Sequence, residues 1–149
     1  MAATRLNRLN RERLCHEHGA LDELVTTLYR VLAERHETPQ RVSHLLSDLT
    51  ERVAAHFKDE EEAGLFEDLT NHLPHHAEEI AKLEAEHKTL MDEFLALNAL
   101  ATADGEFSAE GWKELEDRFR ALTTLMCHHE SRENDLLVTA YDDDIGNKD

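Results

Sequence analysis

Glycine and proline are scarce in this chain, at five and two in 149 residues. So few backbone breakers argue against many short strands joined by turns and favour long helices. Cysteine is limited to Cys15 and Cys127, which excludes a disulfide-stapled scaffold. No apolar run reaches the roughly 18 residues that a membrane-spanning helix needs. The stretch Met1-Ala2-Ala3-Thr4-Arg5-Leu6-Asn7-Arg8 has no apolar centre of a signal peptide, so a cytoplasmic protein is the expectation. Positive charge is also short: 16 basic residues stand against 33 acidic ones, for a net charge of −17. Phosphate backbones and anionic lipid surfaces repel such a chain, which makes nucleic acid and membranes poor partners.

What is present suits one domain over residues 1–149, since 40% apolar residues supply a single core. The unusual count is histidine, 11 in all. Apolar periodicity divides the chain into four helices, at about 4–37, 39–69, 74–101 and 108–141, with an acidic, frayed tail at 142–149. Thr38-Pro39 is an N-cap followed by proline at the first helical position, Pro74 and Gly105 mark the later breaks, and Ser108 is a cap. Long helices with short connections predict an all-α fold, an up-down-up-down antiparallel four-helix bundle.

The apolar stripes are interrupted in a regular way. The first reads Leu14, His18, Leu21, Val25; the second Leu49, Val53, His56, Glu60. The third reads Leu83, His87, Leu90, Phe94; the fourth Leu122, Met126, His129, Glu133, Leu136. Each helix turns one histidine inward, and two helices add a glutamate four residues on, which shares the same face. These residues lie about 13 to 21 positions from the connections that flank them, so at about 1.5 Å per residue they meet at one depth of an antiparallel bundle. There is a weak internal symmetry too: Glu17-His18 returns as Glu86-His87, and His56-x-x-x-Glu60 as His129-x-x-x-Glu133.

A lone inward histidine is ordinarily a hydrogen-bonded core residue. Four of them with two glutamates at one level are better explained by metal, because a glutamate is almost never fully buried unless it is paired. Imidazole and carboxylate together suit divalent iron, manganese or zinc. Six donors are too many for one tetrahedral zinc and fit two ions, each with two histidines, bridged by two carboxylates. Two glutamates supply −2 against +4, so an oxo or hydroxo bridge is expected as well.

Other candidates carry less. His16 sits about 200° round the helix from His18. His128 has Arg132 four residues on, so the register favours His129. His72, His75 and His76 flank Pro74 at a bundle end, and His36 and His44 lie near the first connection. Glu61 and Glu62 extend an acidic run on the solvated side, from which a carboxylate can support a ligand. Cys15 and Cys127 fall within three residues of the inward histidines and read as structural free thiols, with a redox-linked pairing as the alternative. Arg5, Arg8, Arg11 and Arg13 make the first helix locally basic.

Taken in order, Glu17-His18, His56-Phe57-x-x-Glu60-Glu61, Glu86-His87 and His129-Glu130-x-x-Glu133-Asn134 resemble the hemerythrin-like (HHE cation-binding) domain. The resemblance runs from about Leu14 to Asp149, and the ending through Asp144-Ile145-Gly146 is similar to bacterial members. It implies a non-heme di-iron site in a four-helix bundle. Its ligands would be His18, His56, Glu60, His87, His129 and Glu133, with Glu60 and Glu133 bridging two iron ions. Oxygen carriers of this family use five histidines, with a histidine pair on the third helix; here the partners of His87 are Leu83 and Met91. One protein ligand is therefore missing, leaving open positions for reaction. The resemblance implies a small-molecule partner, O2, NO or peroxide, which the protein would carry, scavenge or sense. A di-iron oxidase or peroxidase, and a non-catalytic iron-responsive regulatory bundle, are the alternatives.

Overall fold

The computed structural model describes the backbone of residues 8–102 and 107–146, and the side chains of residues 21–102 and 107–142. Among these residues all regular structure is helical. Helix α1 spans Arg8–Glu34, α2 Pro39–Glu62, α3 Leu65–His72, α4 Ala77–Ala101 and α5 Ala109–Gly146, with a short 3-10 turn at Pro74–His76. None of them is long and apolar enough to cross a membrane. The four long helices make a ring of contacts: α1 on α2, α2 on α4, α4 on α5, and α5 back on α1.

The ends follow from local chemistry. Thr38 caps α2, its hydroxyl accepting from the Arg41 amide at 3.1 Å, and Pro39 stands where no amide donor is needed. Ser108 does the same for α5, accepting from Gly111 N–H at 3.0 Å. Helix α1 ends because Arg35 turns left-handed, at φ 56°, while its amide still donates to Val31 C=O.

Two boundaries differ from the sequence expectation. The second helix does not run to residue 69: it stops at Glu62, and Gly64 adopts φ 73° before α3 begins. Glycine takes this conformation without a Cβ penalty. The chain thereby swings α3 against α4 and α5. The last helix continues through Gly146 rather than fraying at 142. No local signal explains that extension, since acidic residues at a helix C-terminus oppose its dipole.

Side-chain burial divides the interior into two apolar clusters. The larger holds Leu28, Leu32, Leu46, Leu49, Val53, Phe57, Leu90, Phe94, Leu97, Leu115, Phe119 and Leu122, among others. The smaller joins Leu65, Phe66, Leu69 and Leu73 to Ile80, Leu83, Leu136, Leu137 and Ala140. Polar ties set the helix register inside the larger cluster: Asn98 donates to Thr50, and the Tyr29 and Thr123 hydroxyls bond across α1 and α5. Between the two clusters, on α2, α4 and α5, lie the described histidines and glutamates that interrupt the apolar stripes.

Candidate metal centre

His56, Glu60, His87, His129 and Glu133 are each at most 4% exposed. They are buried because the helical period that buries Val53, Leu83 and Leu136 also turns them inward. An ionised carboxylate in such surroundings costs several kcal/mol unless opposite charge compensates it. The compensation must come from what faces it.

The imidazole Nε2 atoms point into the layer. His56 Nε2 lies 3.5 Å from Glu60 Oε1, and His87 Nε2 lies 3.4 Å from the same oxygen. Glu60 on α2 therefore spans two histidines from different helices. His129 Nε2 lies 3.2 Å from Glu133 Oε2, and His56 Nε2 lies 3.6 Å from Glu130 Oε1. Two overlapping sets of donors result. One donor atom each from His87, His129 and Glu133 lie within 4.8 Å of one another, and so do those of His56, Glu130 and Glu133. Atoms bound about 2.1 Å from one ion are at most about 4.2 Å apart, so each set needs only a small contraction to hold a cation. Glu133 belongs to both sets, and its two oxygens allow it to serve both.

The fit to metal can be tested on the layer's own hydrogen bonding. His87 Nε2, His129 Nε2 and both oxygens of Glu133 are buried without a hydrogen-bond partner. The 3.2 Å approach of His129 to Glu133 is close enough for Coulombic attraction but is not directed as a hydrogen bond. Folded proteins leave very few buried polar atoms unpaired. Four such atoms converging from two helices are the donor set a divalent cation satisfies, and their types suit iron, manganese or zinc.

The far side of each imidazole is also arranged. His87 Nδ1–H donates to Glu61 Oε1 at 3.1 Å, and His129 Nδ1–H donates to Glu86 Oε1 at 3.0 Å. Arg132 in turn holds Glu86. An outer carboxylate on Nδ1 leaves the Nε2 lone pair facing inward and fixes the ring. Phe57 completes the support by stacking on His87, with centroids 3.9 Å apart and planes 7° from parallel, and Phe66 of α3 meets the same ring edge-on at 5.1 Å.

These surroundings move the proton affinities in opposite directions. Burial holds His87 below the ordinary histidine value, outweighing the support from Glu61. Burial alone would lower His129 too, but Glu133 and Glu86 outweigh it and raise that imidazole. Burial would raise the Glu86 carboxyl, yet the hydrogen bonds from Arg132 and His129 hold it below the usual carboxylate value.

Five of the six residues singled out in the sequence thus meet in one layer. The sixth, His18, lies on α1, but its side chain is outside the described residues, as is that of Cys15. Glu130 was not singled out, and the structure brings it beside His56. Its signal in the sequence was its place in His129-Glu130-x-x-Glu133. Glu86 was legible only as the partner of His87 in a repeat, yet it serves His129 on the next helix. Glu61 takes the supporting position open to it. Of the remaining histidines, His36, His44, His75, His76 and His128 are exposed, and His72 donates Nδ1–H to the Asp68 carbonyl at 2.8 Å. Cys127 is an exposed free thiol. Leu83 is buried in the smaller cluster and Met91 packs against the larger, so neither position beside His87 offers a donor.

Comparison with known proteins agrees with this chemistry. Neither curated proteins nor solved structures give a significant match to the chain. The family model of the hemerythrin HHE cation binding domain matches residues 10–141, which take in every residue of the layer. The chain belongs to the hemerythrin HHE cation-binding domain family.

Proposed function

We propose that this protein is a non-heme di-iron protein that binds O2, NO or peroxide as a carrier, scavenger or sensor. The observation that carries the reading is the buried layer itself: imidazoles and carboxylates from α2, α4 and α5 converge between two apolar clusters, with the Nε2 atoms of His87 and His129 and both oxygens of Glu133 lacking a hydrogen-bond partner. In this reading His56, Glu60, His87, His129 and Glu133, with His18 from α1, would hold two iron ions, with Glu60 and Glu133 serving both. The ring of helix contacts supports an up-down-up-down four-helix arrangement. The acidic chain and its two cysteines support a cytoplasmic protein of one domain.

A pair of irons supplies redox electrons and open positions for a small oxidant. The chain supplies the rest. Glu61 and Glu86 keep two imidazoles in the tautomer that faces inward. The apolar clusters exclude water above and below. An apolar cavity of about 150 Å³, lined by Leu21, Val25, Leu49, Val53, Phe94 and Met126, reaches the layer at Glu130. That is well below the roughly 300–1,000 Å³ of pockets for drug-sized organic molecules, so a diatomic or peroxide fits better than a large substrate.

The reading is tested by mixing reduced, iron-loaded protein with O2, NO and hydrogen peroxide in turn. Reversible spectral change with O2 or NO, or consumption of peroxide, is the expected result. Spectra indifferent to all three contradict it, and sustained peroxide turnover with a reducing dye would move the protein to the peroxidase class.

A further inference from the structure

We infer that Glu130 is a metal-holding residue on the His56 side of the layer, so that the two ion positions are chemically unlike: among the described residues, the His56 position gains a carboxylate of its own beside the shared glutamates. This rests on the two-ion reading above and adds to it a residue and an asymmetry.

The first support is distance. Glu130 Oε1 lies 3.6 Å from His56 Nε2, and one oxygen of Glu130 falls within 4.8 Å of donor atoms of both His56 and Glu133. The second is the way the side chain is buried. The residue as a whole is partly exposed, 19% by its side chain, yet both carboxylate oxygens are out of contact with solvent. A surface glutamate does the reverse, keeping its charge in water over a buried stem. Here the charge is carried inward and the stem is left outside.

The third support is the internal repeat. His56-Phe57-x-x-Glu60 and His129-Glu130-x-x-Glu133 place the two residues after the histidines at equivalent positions. In the first copy that position is Phe57, which stacks on His87. In the second it is Glu130, which reaches His56. One step along a helix turns a side chain by about 100°, so Glu130 addresses a different neighbour from His129. His129 turns to Glu86 of α4, while Glu130 lines the cavity beside Leu21, Leu49 and Val53 of α1 and α2.

Charge agrees. Glu60, Glu130 and Glu133 bring −3 to two divalent ions, against the −2 of the bridging pair alone. The half with His87 and His129 presents two imidazoles. The half with His56 adds Glu130 to its imidazole and the shared glutamates, and the extra oxygen donor suits manganese or iron better than softer ions. Glu130 thus supplies the donor that Leu83 and Met91 fail to supply, but at the opposite ion.

The test is an anaerobic titration of the metal-free full chain with Mn(II) and with Fe(II), for wild type and Glu130→Gln, with metal counted per chain after desalting. The wild type is expected to hold two ions, and its Mn(II) form to show the broadened, coupled resonance of a pair. Glu130→Gln, which keeps the side-chain shape, is expected to hold one ion firmly and the second at least tenfold more weakly, with the six-line spectrum of isolated Mn(II). His56→Ala is expected to lose the same ion. Two ions held by Glu130→Gln with unchanged affinity overturn the inference, and so does loss of both ions together. A wild type that takes up neither metal contradicts the two-ion reading itself.

Discussion

On the His87 and His129 side of the layer each imidazole is braced from behind by a carboxylate, and Phe57 and Phe66 pin one ring against the helices. On the His56 side Glu130 brings a carboxylate to 3.6 Å from Nε2, and the same residue lines an apolar cavity of about 150 Å³. The same helix repeat built both sides. One position separates the copies: Phe57 stacks on His87 in the first, and Glu130 reaches His56 in the second. A sequence repeat can thus persist while the chemistry at one of its positions departs from it.

The change with the largest expected effect abolishes the comparison. Glu60 contacts His56 and His87 from one oxygen, so Glu60→Ala should weaken both halves, by more than the roughly 100-fold that loss of an outer carboxylate costs. Elemental analysis should find most of the iron gone; full retention would show that Glu60 bridges nothing.

Metal removal comes next, because it exposes what the layer costs on its own. Buried Glu60 and Glu133 crowd negative charge into an apolar interior that a cation would offset. Iron at 1,000 times its dissociation constant should stabilise the fold by about 4 kcal/mol, or about 10 °C in melting temperature. Calorimetry with and without chelator measures it directly.

The braced half can then be loosened alone. Arg132 holds Glu86, and Glu86 holds His129, so Glu86→Gln or Arg132→Ala should lower affinity at that ion by about 10- to 100-fold and leave the His56 ion nearly unchanged. Equal losses at both ions would erase the distinction between the halves.

How much of this was legible beforehand depends on the type of signal. The helices and the inward register of His56, Glu60, His87, His129 and Glu133 follow from a 3.6-residue period, which short loops and few breakers leave undisturbed. Glu130 falls outside the apolar stripe by one residue, and only the helix ring, which sets α2 and α5 across the interior from each other, shows that it meets a histidine. Glu86 sits next to His87 in sequence but reaches across to α5, a choice that depends on interhelix geometry. The break at Gly64 was hidden because a single glycine among Glu61, Glu62 and Ala63 is compatible with a continuing helix. The left-handed turn there, which brings Phe66 onto His87, is a matter of backbone angle.

The smallest expected effect is a control distant from both halves. Arg35 ends α1 in a left-handed conformation that costs a side-chain-bearing residue about 1 kcal/mol. Arg35→Gly should raise the melting temperature by about 3 °C and leave both metal affinities where they were.

The most direct test of the central claim is anomalous diffraction from crystals of the iron-loaded protein. Two iron peaks about 3.5–4 Å apart are predicted, one between His87 and His129 and the other beside His56 and Glu130, with Glu60 and Glu133 between them. A single peak, or peaks confined to His72, His75 and His76 at the bundle end, would contradict it.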